Sequence, residues 1–186
     1  MNSPRTSDAP PVQPAKVAPT AGSSAWPAEP QPGERLSGAD FEQVVRLTPL
    51  VSIDLVVRLP DGRALLGRRS NEPAKGKFFV VGGRITKNET TPAAFRRLTV
   101  LELGFEKELK QARFLGQYDH FYPTNALGKP GFGTHYVVLA YELKLAEKPT
   151  ALPPAQHDDY VWRTPEEILN ATDVHENTKV YFREGK

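Results

Sequence analysis

The chain contains no cysteine. This excludes a disulfide framework, a thiolate metal site and a thiol nucleophile, and it fits a reducing compartment such as the cytoplasm. Long apolar runs are missing too: nowhere are there the roughly 18 consecutive apolar residues of a membrane span, so no membrane partner is expected. Charge of one sign is scarce, with 24 Lys and Arg interspersed among 22 Asp and Glu for a net charge of +2. Nucleic-acid binding on charge alone is therefore not expected. Residues 1–34 lack helical and strand periodicity, and they lack the apolar core of about 7–15 residues that a secretory signal carries. Their Pro, Ala and Ser content predicts a disordered or polyproline-like tail, with Trp26 as a lone aromatic.

What is present reads as one globular domain over 35–186, since 39% hydrophobic and 25% charged residues suit a single ordinary core. "LVSIDLVV" predicts a strand, "LPDG" a turn in which Gly62 can take positive φ, and "RALLGRR" the returning strand. "KFFVV" predicts a short strand running into Gly82-Gly83. "TTPAAFRRLTVLELG" predicts a helix capped by Thr91, with Pro92 in its first turn and Gly104 at its end. Ala94, Leu98, Leu101 and Phe105 follow three- and four-residue steps and are expected on its buried face. Strands "ARFLGQYDHFY" and "THYVVLAYEL" follow, joined by the loop "PTNALGKPGFG". Then come the connecting stretch "EKPTALPPAQHDDYVW" and short helices near "TPEEILN" and "HENTKVYFRE". This order predicts an α/β (α+β) domain whose mixed sheet is covered on both faces.

The chemistry concentrates between Val80 and Phe105. A Gly-Gly pair between a strand and a helix lets backbone approach a ligand, and its carbonyl is a hard donor suited to magnesium. Glu89 stands before the helix, where its charge suits either the helix dipole or a metal, and Glu102 stands near the helix end. Arg97 suits either an ion pair or a phosphate contact.

Gly83, five residues, Glu89, seven residues, Arg97, then Glu102 and Gly104-Phe105 resemble the Nudix box, G-x5-E-x7-R-E-U-x-E-E-x-G-U. Leu98 and Leu101 occupy positions where that box carries glutamates. The same departures resemble the GDP-mannose mannosyl hydrolase branch, which also has "RLT…EL" here. "DFEQVVRLTPLVSIDLVV", "LLGRR", "NEPAKGKFFVVGGR", "DHFY", "QHDDYVW" and "VHENTKVYF" extend the match from Asp40 to Phe182. Glu72, the loop Pro123 to Gly133, and Val81 depart from the branch.

The resemblance implies a Nudix α/β/α sandwich, a homodimer, and one Mg2+ per active site, with Mn2+ as a substitute. It assigns metal binding to the Gly82 carbonyl, Glu102 and Gln156. Arg69 faces the leaving diphosphate and His157 is the general base. Asp54, Arg84, Arg97, His120 and Tyr136 contact the nucleotide sugar. From the residues alone, His120 and Tyr136 are equally readable as buried, hydrogen-bonded strand positions, and neither His135 nor His175 has a functional claim. The implied reaction is hydrolysis of GDP-mannose, or GDP-glucose, to GDP and free sugar by attack at C1 with inversion. The alternatives are a Nudix pyrophosphohydrolase releasing GMP and a sugar phosphate, and a non-catalytic nucleotide-sugar sensor.

Overall fold

The computed structural model describes residues 33–153 and 157–183. All but the last two residues of the expected tail lie outside the described residues, and so does Gln156. A helix absent from the sequence reading, α1 (Gly38–Leu47), precedes the first strand. Ser37 caps it by accepting from the Asp40 N–H at 3.2 Å, while Asp40 in its first turn and Arg46 in its last suit the helix dipole.

Strand β1 (Leu50–Arg58) divides its side chains between two cores, as a period of two requires. Ile53, Leu55 and Val57 enter one core and Val56 the other. The predicted turn forms, with Gly62 at φ +84° and its N–H donating to the Leu59 carbonyl at 2.9 Å. Strand β2 (Ala64–Arg69) then shares a single register pair with β1, Arg58 with Ala64. It diverges to pair along its length with a strand from late in the chain. That strand, His157–Arg163, lies within a stretch expected to be a connection. Tyr160 and Trp162 pack on one core and Val161 on the other, the alternation of a strand.

The expected "KFFVV" strand is split into β3 (Phe78–Phe79) and β4 (Val81–Arg84). Strand β4 lies antiparallel to β1. Helix α2 (Thr91–Leu103) follows, then strands β5 (Ala112–Tyr122) and β6 (Thr134–Lys144). These two pair antiparallel, and β6 runs parallel to β1. With His157–Arg163 as β7, the described residues form a seven-stranded mixed sheet ordered β3-β2-β1-β6-β5, with β4 on β1 and β7 on β2. Helix α2 covers one face. Helices α3 (Pro165–Asn170) and α4 (Glu176–Lys179), with Tyr181 and Phe182, cover the other. The fold is the expected α/β/α sandwich.

Helix α2 differs from expectation in two details. Thr90, not Thr91, is its cap, accepting from the Ala93 N–H at 3.4 Å, so Thr91 and Pro92 are its first two residues. Its buried residues are Ala94, Phe95, Leu98, Thr99, Glu102 and Leu103. Leu101 is 44% exposed: the face turned to the sheet centres on Phe95, Leu98 and Glu102, and of the residues flanking Glu102 at about 100° it is Leu103 that the core covers, which leaves Leu101 on the open flank. Leu98→Ala should therefore destabilise the protein by roughly 2–5 kcal/mol, as core Leu truncations do. Leu101→Ala should stay within about 0.5 kcal/mol of wild type. Denaturant unfolding of both variants measures the contrast.

Candidate active site

The site is built on a contact too close for side chains. Gly82 lies opposite Asp54 in the β1–β4 ladder, and a Cβ on it would come within 2.2 Å of the Ile53 carbonyl oxygen. At Gly83 a Cβ would sit 2.7 Å from Cδ2 of Leu98. The second glycine thus seats α2 on the sheet through the leucine that replaces a box glutamate.

Arg97 and Glu89 lock this arrangement. Nε and one terminal nitrogen of Arg97 each donate to Glu89 at 2.7 Å, and that terminal nitrogen also reaches the Arg84 carbonyl at 2.8 Å. Glu89 also accepts from the Thr86 N–H and hydroxyl, both at 3.0 Å. Burial alone would raise the Glu89 carboxyl, but hydrogen bonds from Arg97 and Thr86 hold it below the ordinary range. Both residues here hold the loop before α2 against β4, Glu89 through Thr86 and Arg97 through Glu89 and the Arg84 carbonyl.

Two polar clusters follow. In the first, Glu102 is 1% exposed, and its Oε2 lies 3.2 Å from Nε2 of His157, also buried. The Tyr160 ring stands 5.3 Å from the imidazole, its hydroxyl donating to the Pro153 carbonyl at 2.7 Å. Burial and the charge of Glu102 push the Tyr160 hydroxyl up to about 12. Arg69, the cross-strand partner of His157, carries its guanidinium 5.4 Å over the Phe79 ring.

In the second cluster the Tyr181 hydroxyl donates to Asp54 at 2.7 Å and lies 3.3 Å from Nε2 of His120. Burial pushes the Asp54 carboxyl up to about 6 despite that hydrogen bond and the charge of Arg69. Burial lowers His120 to about 4, with His175 contributing. Tyr136 pairs in register with His120 and meets Tyr122 edge-on at 6.0 Å. Arg69 and Arg84 both act electrostatically on Tyr136. Arg84 stacks 4.2 Å over Phe41 of α1, and burial lowers its guanidinium. His175, without a functional claim from sequence, stacks on Phe79 at 4.6 Å. His135 instead stacks on exposed Phe121 at 4.3 Å. Glu72 accepts from the Thr124 hydroxyl at 2.9 Å, so two of the departures, Glu72 and the Pro123 to Gly133 loop, touch each other.

Sequence reasoning missed Gly67, Phe79, Tyr122, Tyr160, Asn177 and Tyr181. All six stood in stretches read as strands, connections or short helices, and nothing in the spacing of "KVYF" shows that Tyr181 reaches Asp54. Among the described residues five buried side-chain atoms lack hydrogen-bond partners, and four of them belong here: Arg69 Nε, Glu102 Oε1, His157 Nδ1 and Asn177 Nδ2. Buried polar atoms without partners are uncommon in native proteins, so their concentration marks a place built to receive polar ligand atoms.

The donor set suits a hard divalent cation. Glu102 Oε1 is orphaned, and at Gly82 the β1–β4 contact admits backbone and no side chain, so both positions offer oxygen donors. No group of three or more His, Asp or Glu among the described residues could hold a metal by itself, so other oxygens must complete any coordination shell.

The family described as NUDIX domain matches residues 48–183. The chain is 40% identical over 116 residues to the low-salt glycan biosynthesis protein Agl8 of Haloferax volcanii, covering 62% of this chain and 71% of that one. In fold it is similar to the MutT NUDIX hydrolase of Burkholderia pseudomallei, with TM-score 0.60 and 24% identity over 75% of this chain and 99% of that one. It is also similar to the NUDIX domain of Shewanella oneidensis NrtR, solved with ADP ribose, with TM-score 0.54 and 17% identity over 80% and 98%.

Asp54 yields a stability prediction with a definite sign. Its folded pKa of about 6 exceeds the ordinary 3.8, so ionisation penalises the folded state. The penalty is absent below about pH 4, grows to about pH 6 and is full above it. His120, depressed to about 4, acts oppositely: its stability is present above about 6.5 and is lost as pH falls through 4. Asp54→Asn should therefore melt with wild type near pH 4 and be more stable above pH 6, by on the order of 3 kcal/mol. Melting curves across pH 4–8 test this.

Proposed function

We propose a reaction from one premise, that this chain belongs to the Nudix family: it hydrolyses GDP-mannose, or a closely related GDP-sugar, to GDP and free sugar by attack of water at the sugar C1. The observation carrying this reading is the fate of the box carboxylates. Leu98 is buried against Gly83, Leu101 points outward and Glu89 is occupied by Arg97 and Thr86. Glu102 alone stays at the site with an oxygen to offer. Attack on phosphorus in this superfamily draws on several metal-binding carboxylates, whereas departure of a diphosphate from carbon needs only its charge neutralised. The similarity to a glycan-biosynthesis protein supports a sugar-linked substrate.

In this reading Glu102 and the Gly82 carbonyl, with Gln156, hold one Mg2+, or Mn2+ in its place. The ion supplies positive charge beside the diphosphate. Arg69, whose Nε is buried without a partner, donates to the same diphosphate as the bond from C1 to its oxygen breaks. Asp54, His120 and Tyr136 present a buried polar wall to the sugar and nucleotide, and Arg84 adds a cation. Water adds its oxygen to C1 from the opposite side and its proton passes to His157. Opposite-side attack inverts, so an α-linked substrate first yields the β-sugar. The domain is taken as 35–186 and the active form as a homodimer, with exposed Phe114 and Phe121 on edge strand β5 as apolar surface for a second copy to cover.

Hydrolysis in isotopically labelled water should place the label in the sugar. Label in a phosphate, with GMP as product, would show attack on phosphorus instead. Glu102→Gln should lower kcat by roughly 10²–10³-fold, the scale of losing one charge-stabilising group, with partial recovery at high Mg2+. Steady-state rates across a magnesium series check this.

A further inference from the structure

We propose that His157 gates Glu102. Without a divalent ion its imidazole is parked between Gly67 and the Glu102 carboxylate, and capture of the ion turns the ring out into the cleft. This rests on the reading of Glu102 as a metal ligand and His157 as the base.

Three observations carry it. First, Glu102 is closed off: the side chain is 1% exposed, Oε2 faces His157 Nε2 at 3.2 Å, and Oε1 is buried without a partner. Magnesium binds through oxygens at about 2.1 Å and keeps water or phosphate oxygens in most of its six positions. A carboxylate walled in by an imidazole cannot meet that requirement until the ring moves.

Second, the parking place exists only because residue 67 has no side chain. A Cβ there would lie 2.5 Å from Cγ and Nδ1 of His157 and 2.9 Å from Cδ2. Gly67 lies inside strand β2 and its φ is not among the positive ones, so no turn demands glycine. Glycine weakens a strand interior and marks close approach by another group, and here that group is the imidazole.

Third, the parked ring is incompletely held, with Tyr160 edge-on against it and a single polar contact. Nδ1 has no hydrogen-bond partner, so the place satisfies one ring nitrogen of two. His157 is the first residue of β7, and its pairing with Arg69 lies beyond a register shift at Arg68/Arg69. Rotation of its side chain disturbs no ladder bond. Tyr160, anchored through its hydroxyl to Pro153, stays behind as a wall. Ion binding and delivery of the base thus become one event, and the base reaches the cleft only when the leaving diphosphate has its counter-charge.

A ligand that must first displace a competing arrangement binds with its affinity reduced by the open fraction. A ring parked about nine-tenths of the time therefore predicts roughly tenfold tighter binding once it is evicted. Mn2+ binding to the full chain, followed by electron paramagnetic resonance, should strengthen about that much in Gly67→Ala, where the Cβ expels the ring, and in His157→Ala, where the ring is gone. The His157 ring-nitrogen NMR signals, assigned by their loss in His157→Ala, should shift when Mg2+ is added to wild type. They should already lie near the shifted position in ion-free Gly67→Ala. Should Gly67→Ala fail to fold by circular dichroism, His157→Ala decides the affinity arm. Equal or weaker Mn2+ binding in the folded variants, or a wild-type His157 signal unmoved while Mn2+ binds, overturns the gate and leaves the metal reading standing. A wild-type protein that binds no Mn2+ overturns both.

Discussion

No side chain fits between strands β1 and β4 at Gly82, and the remainder of the site is placed by that contact. A strand brought within 2.2 Å of where a Cβ would stand leaves backbone as the only lining at that point. The next glycine accepts Leu98, which presses α2 onto the sheet, and Arg97 ties the same helix to the Arg84 carbonyl and Glu89. With α2 held at two consecutive residues, the azimuth of Glu102 is determined, and it points at β7 and His157.

The two leucines in the box are not equivalent losses. Leu98 replaces a carboxylate with a packing residue, so the position contributes to holding the helix. Leu101 is half-exposed and contributes little to the core. Burying one carboxylate beside an imidazole is feasible because one oxygen, Oε2, finds a polar partner in His157, while Oε1 is left for a ligand. Several buried carboxylates without bound cations would repel one another and pay heavily in desolvation. A site reduced to one such carboxylate can keep it almost fully buried, which makes the parked imidazole possible.

The second cluster shows the same economy of charge. Asp54 and His120 share the Tyr181 hydroxyl, and their pKa values are displaced in opposite senses by the same burial. At neutral pH the imidazole is held uncharged, and the carboxylate stays ionised beside Arg69 although burial opposes it. The cost lies in the folded state, where a ligand carrying hydroxyl donors can offset it.

Local sequence determined a good deal. The strand of "LVSIDLVV", the turn at Gly62, the helix from Thr91 to its glycine stop and the long β5–β6 pair all follow from short-range patterning that each segment carries within itself. So does the Nudix frame, because its spacing is a property of one strand, one loop and one helix. Tertiary structure alone decided the rest. Strand β7 is called into being by β2, which left its hairpin partner after one pair, and a stretch interrupted by prolines shows no such commitment on its own. Leu101 faces outward because the sheet chose the face of α2. Gly67, Tyr181 and His175 acquire meaning only from residues far away in the chain, since a glycine's vacancy or a hydroxyl's second partner is a fact about distance, and distance across a sheet is not written in the spacing along a strand.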